Sequence, residues 1–317
     1  MSTIQIANME GLEYLNTLDS NSVDLVLTDP PYITSRDTGM DKWVDHVEAR
    51  RQSGVNLKTE QDWQKLKTAS QWKEWAQKGG YAPGRTRLNA LRSAKKNYLK
   101  YGSIYGEKYA VRTDYGKWDS DFTMAEMEQF INHFYRVLRP GGSCIIFFDI
   151  WKITPLKEMM ERCKFKQIRF IEWIKTNPQP LNSSRNYLTN CREIALMGVK
   201  KGKPYFDSRG DNAIYRFPLQ GGKYRIMPTQ KSTRLCEALI KKHCPPEGIE
   251  VIKSKDSDGN PVELTTTWDP VILDPFMGAG TTAVAAHNTG RNVVGCEVRE
   301  EMYHQMIERI QGELSDS

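Results

Sequence analysis

Six short apolar runs recur along the 317-residue chain: "TIQIAN", "VDLVLT", "SCIIFFD", "IRFIEWI", "DPVILDPF" and "NVVGCEV". Runs this short and this rich in Val, Ile and Leu read as strands, and the segments between several of them have helical spacing. "MEGLEYLNTL" is one such segment. Another starts at Thr123, where "TMAE" has capping-box spacing and Met127, Phe130, Ile131, Phe134 and Leu138 share one face until "RPGG" stops it. "PLKEMMERC" and "TTAVAAHNTG", the latter closed by Gly290, continue the alternation. Strand–helix–strand order builds parallel sheets, so the chain is expected to fold as an α/β domain, a mostly parallel twisted sheet with helices on both faces.

Two stretches break this rhythm. Residues 36–117 hold 18 Lys/Arg against 9 Asp/Glu, together with ten Trp and Tyr, and helices are expected at Glu60–Gln77 and Leu88–Lys100. The chain's net charge is +6, so this block is +9 and the remainder −3. Such segregation suggests a polyanion partner, a solvated lysine-rich surface being the plainer alternative. Residues 182–226 are polar, basic and dotted with glycine, with no clear period. The expected organisation is a catalytic domain in three pieces (1–35, 118–181 and 227–317), a basic aromatic-rich insertion (36–117) and a separate segment (182–226). "KSKDSDGNPVE", Lys253–Glu263, reads as a hairpin tip around Asp258 and Gly259.

The longest apolar stretch, Cys144–Phe148, is far too short to span a bilayer, and Met1–Asn8 has neither a basic start nor a signal-like apolar core. An intracellular protein, cytoplasmic or nucleoid-associated, is expected, with no membrane partner. Six cysteines without a C-x-x-C pair argue against a zinc site and against a disulfide framework, and no metal is expected.

The second run ends in "DPPY", Asp29–Tyr32. Two prolines remove two backbone donors and restrict the residues before them, so the strand must give way to a rigid extended loop. Asp29 and Tyr32 then lie beyond a strand's carboxyl end, where open parallel sheets bind ligands. "LDPFMGAGTT", Leu273–Thr282, reads as strand, glycine turn and helix start. Gly278 and Gly280 allow a tight turn and close approach to a ligand, and the helix amino terminus offers free N–H groups to a carboxylate. Glu297 follows about 20 residues on, at the end of the next strand, where an acid commonly binds ribose hydroxyls. A plain strand-to-helix turn and a solvated acid are the alternatives.

"DPPY" with a downstream "DPFMGAGTT" resembles the S-adenosylmethionine-dependent DNA amino-methyltransferases, in the permuted motif order of the β class. "KTNPQP" (Lys175–Pro180), "PTQK" (Pro228–Lys231) and "IAN" followed by "MEGLEYL" are similar to further segments of that family, and the likeness covers most of the chain outside the two irregular stretches. It implies a Rossmann-like methyltransferase fold with circularly permuted motifs, S-adenosyl-L-methionine as cofactor, DNA as partner and a homodimer.

The resemblance also implies roles. Asp29, Pro30, Pro31 and Tyr32 become the catalytic loop. An exocyclic amine is a poor nucleophile because its lone pair is delocalised into the ring. The Asp29 carboxylate and the Pro30 carbonyl accept its two hydrogens, while Tyr32 stacks on a base that has left the duplex. Asp274, Phe276, Gly278 and Gly280 surround the methionine part of the cofactor, Glu297 its ribose, and Thr229 and Lys231 its carboxylate, with Asp29, Thr281 and Thr282 also among the cofactor-binding residues. Asn8 stands where the family usually has an Asp contacting the cofactor's adenine, and Met227 where it often has His. Asn177 and Pro178 line the base pocket and Lys175 touches a phosphate, an Asn-Pro turn being the plain alternative. Residues 182–226, Arg185 among them, become the target-recognition segment. In "GRTRLNALRSAKKNYLKYG", Arg85, Arg87, Lys95, Lys96 and Tyr98 suit backbone tracking and base stacking; a dimer contact or a solvated cap fits almost as well.

The reaction this implies is direct in-line transfer of a methyl group to the N6 amine of adenine in DNA, because Asp rather than Ser opens the "DPPY" tetrad. N4-cytosine on DNA, adenine in RNA and a catalytically silent nucleic-acid-binding subunit are the alternatives, in that order. An NAD-dependent oxidoreductase gives the "DPPY" loop nothing to do.

Overall fold

Val23–Thr28 is buried at every position, as a strand covered on both faces must be. The computed structural model describes residues 2–32, 56, 58–68, 87–102, 104, 122–178, 190–227, 229–255 and 261–315. Its strands are β1 (Ile4–Asn8), β2 (Val23–Thr28), β3 (Leu138–Phe148), β4 (Lys166–Lys175), β5 (Arg192–Val199), β6 (Ile214–Phe217), β7 (Gly248–Lys255), β8 (Pro261–Trp268), β9 (Val271–Asp274) and β10 (Asn292–Glu297). Eight of them form one sheet in the order β1-β10-β9-β2-β3-β5-β4-β6. Neighbours run parallel except at β5, which is antiparallel to both β3 and β4. This is the expected α/β methyltransferase sheet. Strand β9 inserts beside β2, with Val26 opposite Leu273, so motifs at the two ends of the sequence meet at the centre.

The helices are α1 (Gly11–Thr17), α2 (Glu60–Thr68), α3 (Arg87–Tyr101), α4 (Met124–Val137), α5 (Ile153–Arg162), α6 (Thr233–His243), α7 (Thr281–Asn288) and α8 (Glu300–Ser315). Side chains of a strand alternate between faces, and β2 shows it. Val26 packs with Ile146, Phe148 and Leu273 under α1, α4 and α5. Leu25 and Leu27 pack with Ile145, Phe147 and Trp173 under α6, α7 and α8. Helix α4 opens with the anticipated capping box, Thr123 and Glu126 each bonding the other's backbone N–H.

Two expectations are revised and a third is met. "RPGG" lies inside β3 rather than in a turn: α4 ends at Val137, and Gly141, at φ +84°, gives its N–H to Lys200 and Lys201 where the β2–β3 register slips. Residues 182–226 include two strands of the main sheet. "REIALMGV" hid because it opens on two charges inside a basic, loop-like stretch, and "IYRF" because it is only four residues long. The expected hairpin at Lys253–Glu263 is present as β7 and β8, and its tip at Asp258 and Gly259 lies outside the described residues.

Asp24 ties that hairpin to the sheet. One carboxylate oxygen accepts the Trp268 indole N–H at 2.8 Å and the other accepts the Val271 N–H at 2.9 Å. Burial raises the Asp24 pKa, and these two bonds with the nearby Arg139 guanidinium oppose the rise.

The chain divides into two units, residues 1–33 with 117–317, and residues 34–116. In the second unit, α2 packs on α3 through Trp63 and Tyr98, ring centroids 5.8 Å apart, and through a Lys95–Glu60 ion pair of 2.7 Å. Residues 69–77 of the expected first helix lie outside the described set. Among the described residues no helix is long and apolar enough to cross a membrane, and no group of His, Cys, Asp and Glu is placed to hold a metal ion.

Candidate active site

Everything that follows sits at the carboxyl ends of β2, β4, β9 and β10 and the amino end of β5, one rim of the sheet. At the end of β2, the Thr28 hydroxyl donates to Asp274 Oδ1 at 2.7 Å. The Thr282 hydroxyl donates to Asp274 Oδ2 at 2.7 Å, and the Phe276 N–H to Oδ1 at 3.1 Å. Asp274 is buried, and its carboxyl is pushed up to about 6, by burial first and against those donors. It acts as the internal brace of the glycine turn.

The turn itself has two unlike glycines. Gly280, at φ +77°, caps α7, and a Cβ there would lie 2.7 Å from Met306 Cγ and 2.9 Å from Ile310 Cδ1. Gly278, at φ +51°, would bring a Cβ no nearer than 3.7 Å to anything, the neighbour being Met227 Sδ. Packing therefore demands the first glycine, whereas the second keeps a space open. Below the turn, buried Arg309 donates to the Ala279 carbonyl and lies 3.4 Å from the Thr281 hydroxyl.

Glu297 is buried, and each of its carboxylate oxygens accepts one backbone N–H: Gly278 at 2.9 Å and Arg299 at 3.0 Å. A carboxylate oxygen has a second lone pair: that of Oε2 remains open to a hydroxyl, while Oε1 also has the Arg299 guanidinium 3.5 Å away. Asn8 spends its amide nitrogen on the Glu297 and Val298 carbonyls, at 2.7 and 3.2 Å, and is not among the cavity-lining residues. These bonds clasp the end of β1 to the end of β10 and leave the amide oxygen, the acceptor expected to meet the cofactor's adenine, uncommitted by them.

Phe276 borders two cavities. One, about 220 Å³, is lined by Leu12, Phe122, Phe130 and Glu297. The other, about 90 Å³, is lined by Asp29, Thr229, Lys231, Gly278 and Thr282. The first offers aromatic rings and a carboxylate, the second polar and charged groups.

In the catalytic loop Pro30 is buried and Pro31 half-buried. Asp29 Oδ2 accepts a hydrogen bond from Lys231 Nζ; Asp29 Oδ1 and the Tyr32 hydroxyl are both buried and neither completes a well-formed hydrogen bond, although the Tyr32 hydroxyl lies close enough to help hold the Asp29 carboxyl down. Lys231 is also 3.0 Å from Glu193 Oε2 and lies over the Tyr32 and Phe147 rings, at 5.5 and 5.3 Å from their centroids. Glu193 Oε1 pairs in turn with Lys175 Nζ at 2.6 Å. Burial alone would lower the Lys231 ammonium; Asp29 and Glu193 outweigh it and hold the group well above its usual value. Burial pushes Asp29 up, Lys231 opposing and Glu193 adding to the push. The Tyr32 phenol is held well above its usual value, by burial first and then by Asp29.

Asp29 and Glu193 take two of the three hydrogens of the Lys231 ammonium, which leaves one for a further acceptor at the smaller cavity that Lys231 lines with Thr229. Lys175 belongs to the same cluster through its ion pair with Glu193. Asn177 Oδ1 accepts the Leu219 N–H at 2.7 Å and closes the loop after β6, and Pro178 follows half-buried. Tyr98 packs on Trp63 and Lys95 on Glu60, so neither is a free stacking or tracking group; Lys96 is exposed. Arg85, Arg185, the Arg87 side chain and Pro228 lie outside the described residues. Glu193, Thr28 and Arg309 were not singled out from the sequence. Only Glu193 left a trace there, as one of just three acids in the basic 182–226 stretch.

The fold and this rim define a class. The N6_N4_Mtase family, described as DNA methylase, matches residues 101–308, and the chain belongs to it: it is an S-adenosylmethionine-dependent DNA amino-methyltransferase. It is 28% identical over 212 residues to the Type II methyltransferase M2.DpnII of Streptococcus pneumoniae, across 64% of this chain and 74% of that one. The crystal structure of the M1.HpyAVI–SAM complex superposes with a TM-score of 0.52 at 21% identity, covering 97% of this chain and all of that one. PvuII DNA methyltransferase, cytosine-N4-specific, superposes at 0.55 with 14% identity, over 96% and 87%. These two share the fold.

The rim suits S-adenosylmethionine. Glu297 keeps an open acceptor position beside aromatic walls, Gly278 leaves room where a side chain would intrude, and Asp29 lines the smaller cavity.

Proposed function

We propose that the chain methylates the N6 amine of adenine in DNA, acting on a base flipped out of the duplex. The observation that carries this reading is Asp29 Oδ1, a buried carboxylate oxygen with no partner on a loop made rigid by Pro30 and Pro31. A buried acceptor left unsatisfied costs about 1–3 kcal/mol. That cost is recovered when an N–H arrives.

Bound S-adenosylmethionine supplies an electrophilic methyl group on a sulfonium. The protein's part is to make a weak nucleophile adequate. Asp29 Oδ1 accepts one amine hydrogen and the Pro30 carbonyl the other, which draws nitrogen toward a tetrahedral shape with its lone pair available. Tyr32, kept protonated and neutral, stacks on the base. The proton that nitrogen sheds leaves along its hydrogen bond to Asp29, whose raised proton affinity favours the transfer. Glu297 takes the ribose, and Thr229 with the α7 turn takes the carboxylate end. Adenine is preferred over cytosine because Asp, not Ser, opens the tetrad.

The test is nucleoside mass spectrometry of unmethylated genomic DNA after incubation with the protein and S-adenosylmethionine, beside an Asp29→Ala control. N6-methyladenine from the native protein alone is the expected product. N4-methylcytosine would keep the mechanism and replace the base; methylation surviving in Asp29→Ala would overturn the assignment of Asp29.

A further inference from the structure

Four alternating charges line the rim beside the catalytic loop: Asp29, Lys231, Glu193 and Lys175. The two inner members are deep. Lys231 keeps 9% of its side chain accessible and Glu193 18%. Charges so placed are tolerated only when compensated, and this row sums to zero. Asp29 with Lys231 alone would already be neutral, however, so the second pair is not needed to balance the first.

We propose that Glu193 is a positioning residue for methyl transfer: it pins the Lys231 ammonium onto Asp29 Oδ2, so that Asp29 Oδ1 stays free for the target amine. This rests on the reading of Asp29 as the amine acceptor. The geometry gives Lys231 three restraints, Asp29 Oδ2 on one side, Glu193 Oε2 at 3.0 Å on another, and the Tyr32 and Phe147 rings along its flank. Glu193 is itself fixed by Lys175 through its other oxygen at 2.6 Å. Remove Glu193, and the ammonium is left with a single carboxylate that has two oxygens. Nothing then stops it from bridging both and covering the one that the substrate needs.

Glu193 has a second effect on the same atom. Its negative charge offsets part of the Lys231 field, so Asp29 remains a better hydrogen-bond acceptor than a carboxylate facing a lone ammonium. The other titratable groups around Asp29 are Tyr32 on its own loop, Asp274 at the end of β9 and Cys236 on α6, each of which feels the Asp29 charge. None of them contacts Glu193 through an ion pair. A change at Glu193 therefore reaches Asp29 in two ways, through its own charge and through its hold on Lys231.

The experiment is single-turnover methylation across pH for the native enzyme, Glu193→Gln, Glu193→Asp and Asp29→Ala, with S-adenosylmethionine affinity measured by calorimetry. The expected result for Glu193→Gln is a rate about 10- to 100-fold lower, cofactor affinity within about threefold, and an acidic limb moved to lower pH, with Glu193→Asp recovering part of the rate. A purely structural role would lower the melting temperature and leave the limb in place. If Glu193→Gln fails to fold, the double variant Glu193→Gln/Lys175→Gln deletes a compensated pair and should show the same shifted limb. An unshifted limb at native rate in either variant overturns the proposal. Activity in Asp29→Ala would instead strike at the assignment of Asp29, which separates the two failures.

Discussion

The Thr28 hydroxyl donates to the Asp274 carboxylate across 246 positions of sequence, at 2.7 Å. That bond joins the strand before the catalytic loop to the strand before the glycine turn. Because Asp274 is pushed up to about 6 in the fold, against about 3.9 for an exposed Asp, the folded state holds this proton more tightly than the unfolded chain does. Its contribution to stability is fully present below about pH 4 and is lost as pH rises through 6, a change on the order of 3 kcal/mol. Urea unfolding of the native protein and Asp274→Asn, compared between pH 4 and 7, should show the native protein losing ground to the variant over that window. Parallel curves would contradict the assignment.

The two glycines of the turn should respond oppositely to the same change. Gly280→Ala drives a Cβ into Met306 and Ile310 and adds left-handed backbone strain, so the protein should lose roughly 2–4 kcal/mol of stability. Gly278→Ala has room and should cost only about 1–2 kcal/mol of strain. Its methyl group stands where the cofactor needs space, so S-adenosylmethionine affinity should fall at least about tenfold in a protein that still folds. Melting curves and titration calorimetry separate the two; equal stability losses with unchanged affinity in Gly278→Ala would refute the distinction.

Asp24 should matter for stability alone. Asp24→Ala strands the Trp268 indole N–H and the Val271 N–H, a loss of about 2 kcal/mol. The turnover of the remaining folded enzyme should match the native value, since Asp24 lies at the amino end of β2, away from the catalytic rim. A lowered rate at full folding would show that the β7–β8 hairpin communicates with the site.

The strands that alternate with helices were legible because burial on both faces leaves a run of apolar residues that little else explains. Gly278 and Gly280 were legible because a left-handed backbone favours glycine, and Asp29 and Glu297 because each stands at a strand end within or after a local motif. Strand β5 was not, since "REIALMGV" opens on two charges and sits in a basic stretch that reads as loop. Glu193, the second of those charges, belongs to a constellation assembled from β2, β4, β5 and the segment before α6. No local pattern records such a meeting. The two carboxylate partners of Lys231 went unread for the same reason, being 202 and 38 positions away.

The position of β9 between β10 and β2 bears on how the enzyme comes into being. Translation delivers "DPPY" early and the residues that brace it late; β1 finds β10, its one strand partner among the described residues, nearly three hundred residues after itself. A nascent chain on the ribosome carries its catalytic loop on a strand with one edge still open, and open edges are sites of wrong pairing. Until the glycine turn and Glu297 have emerged there is no seat for the methyl donor. Catalytic competence therefore arrives in one late step, and truncated products of interrupted translation are born without the capacity to mark DNA.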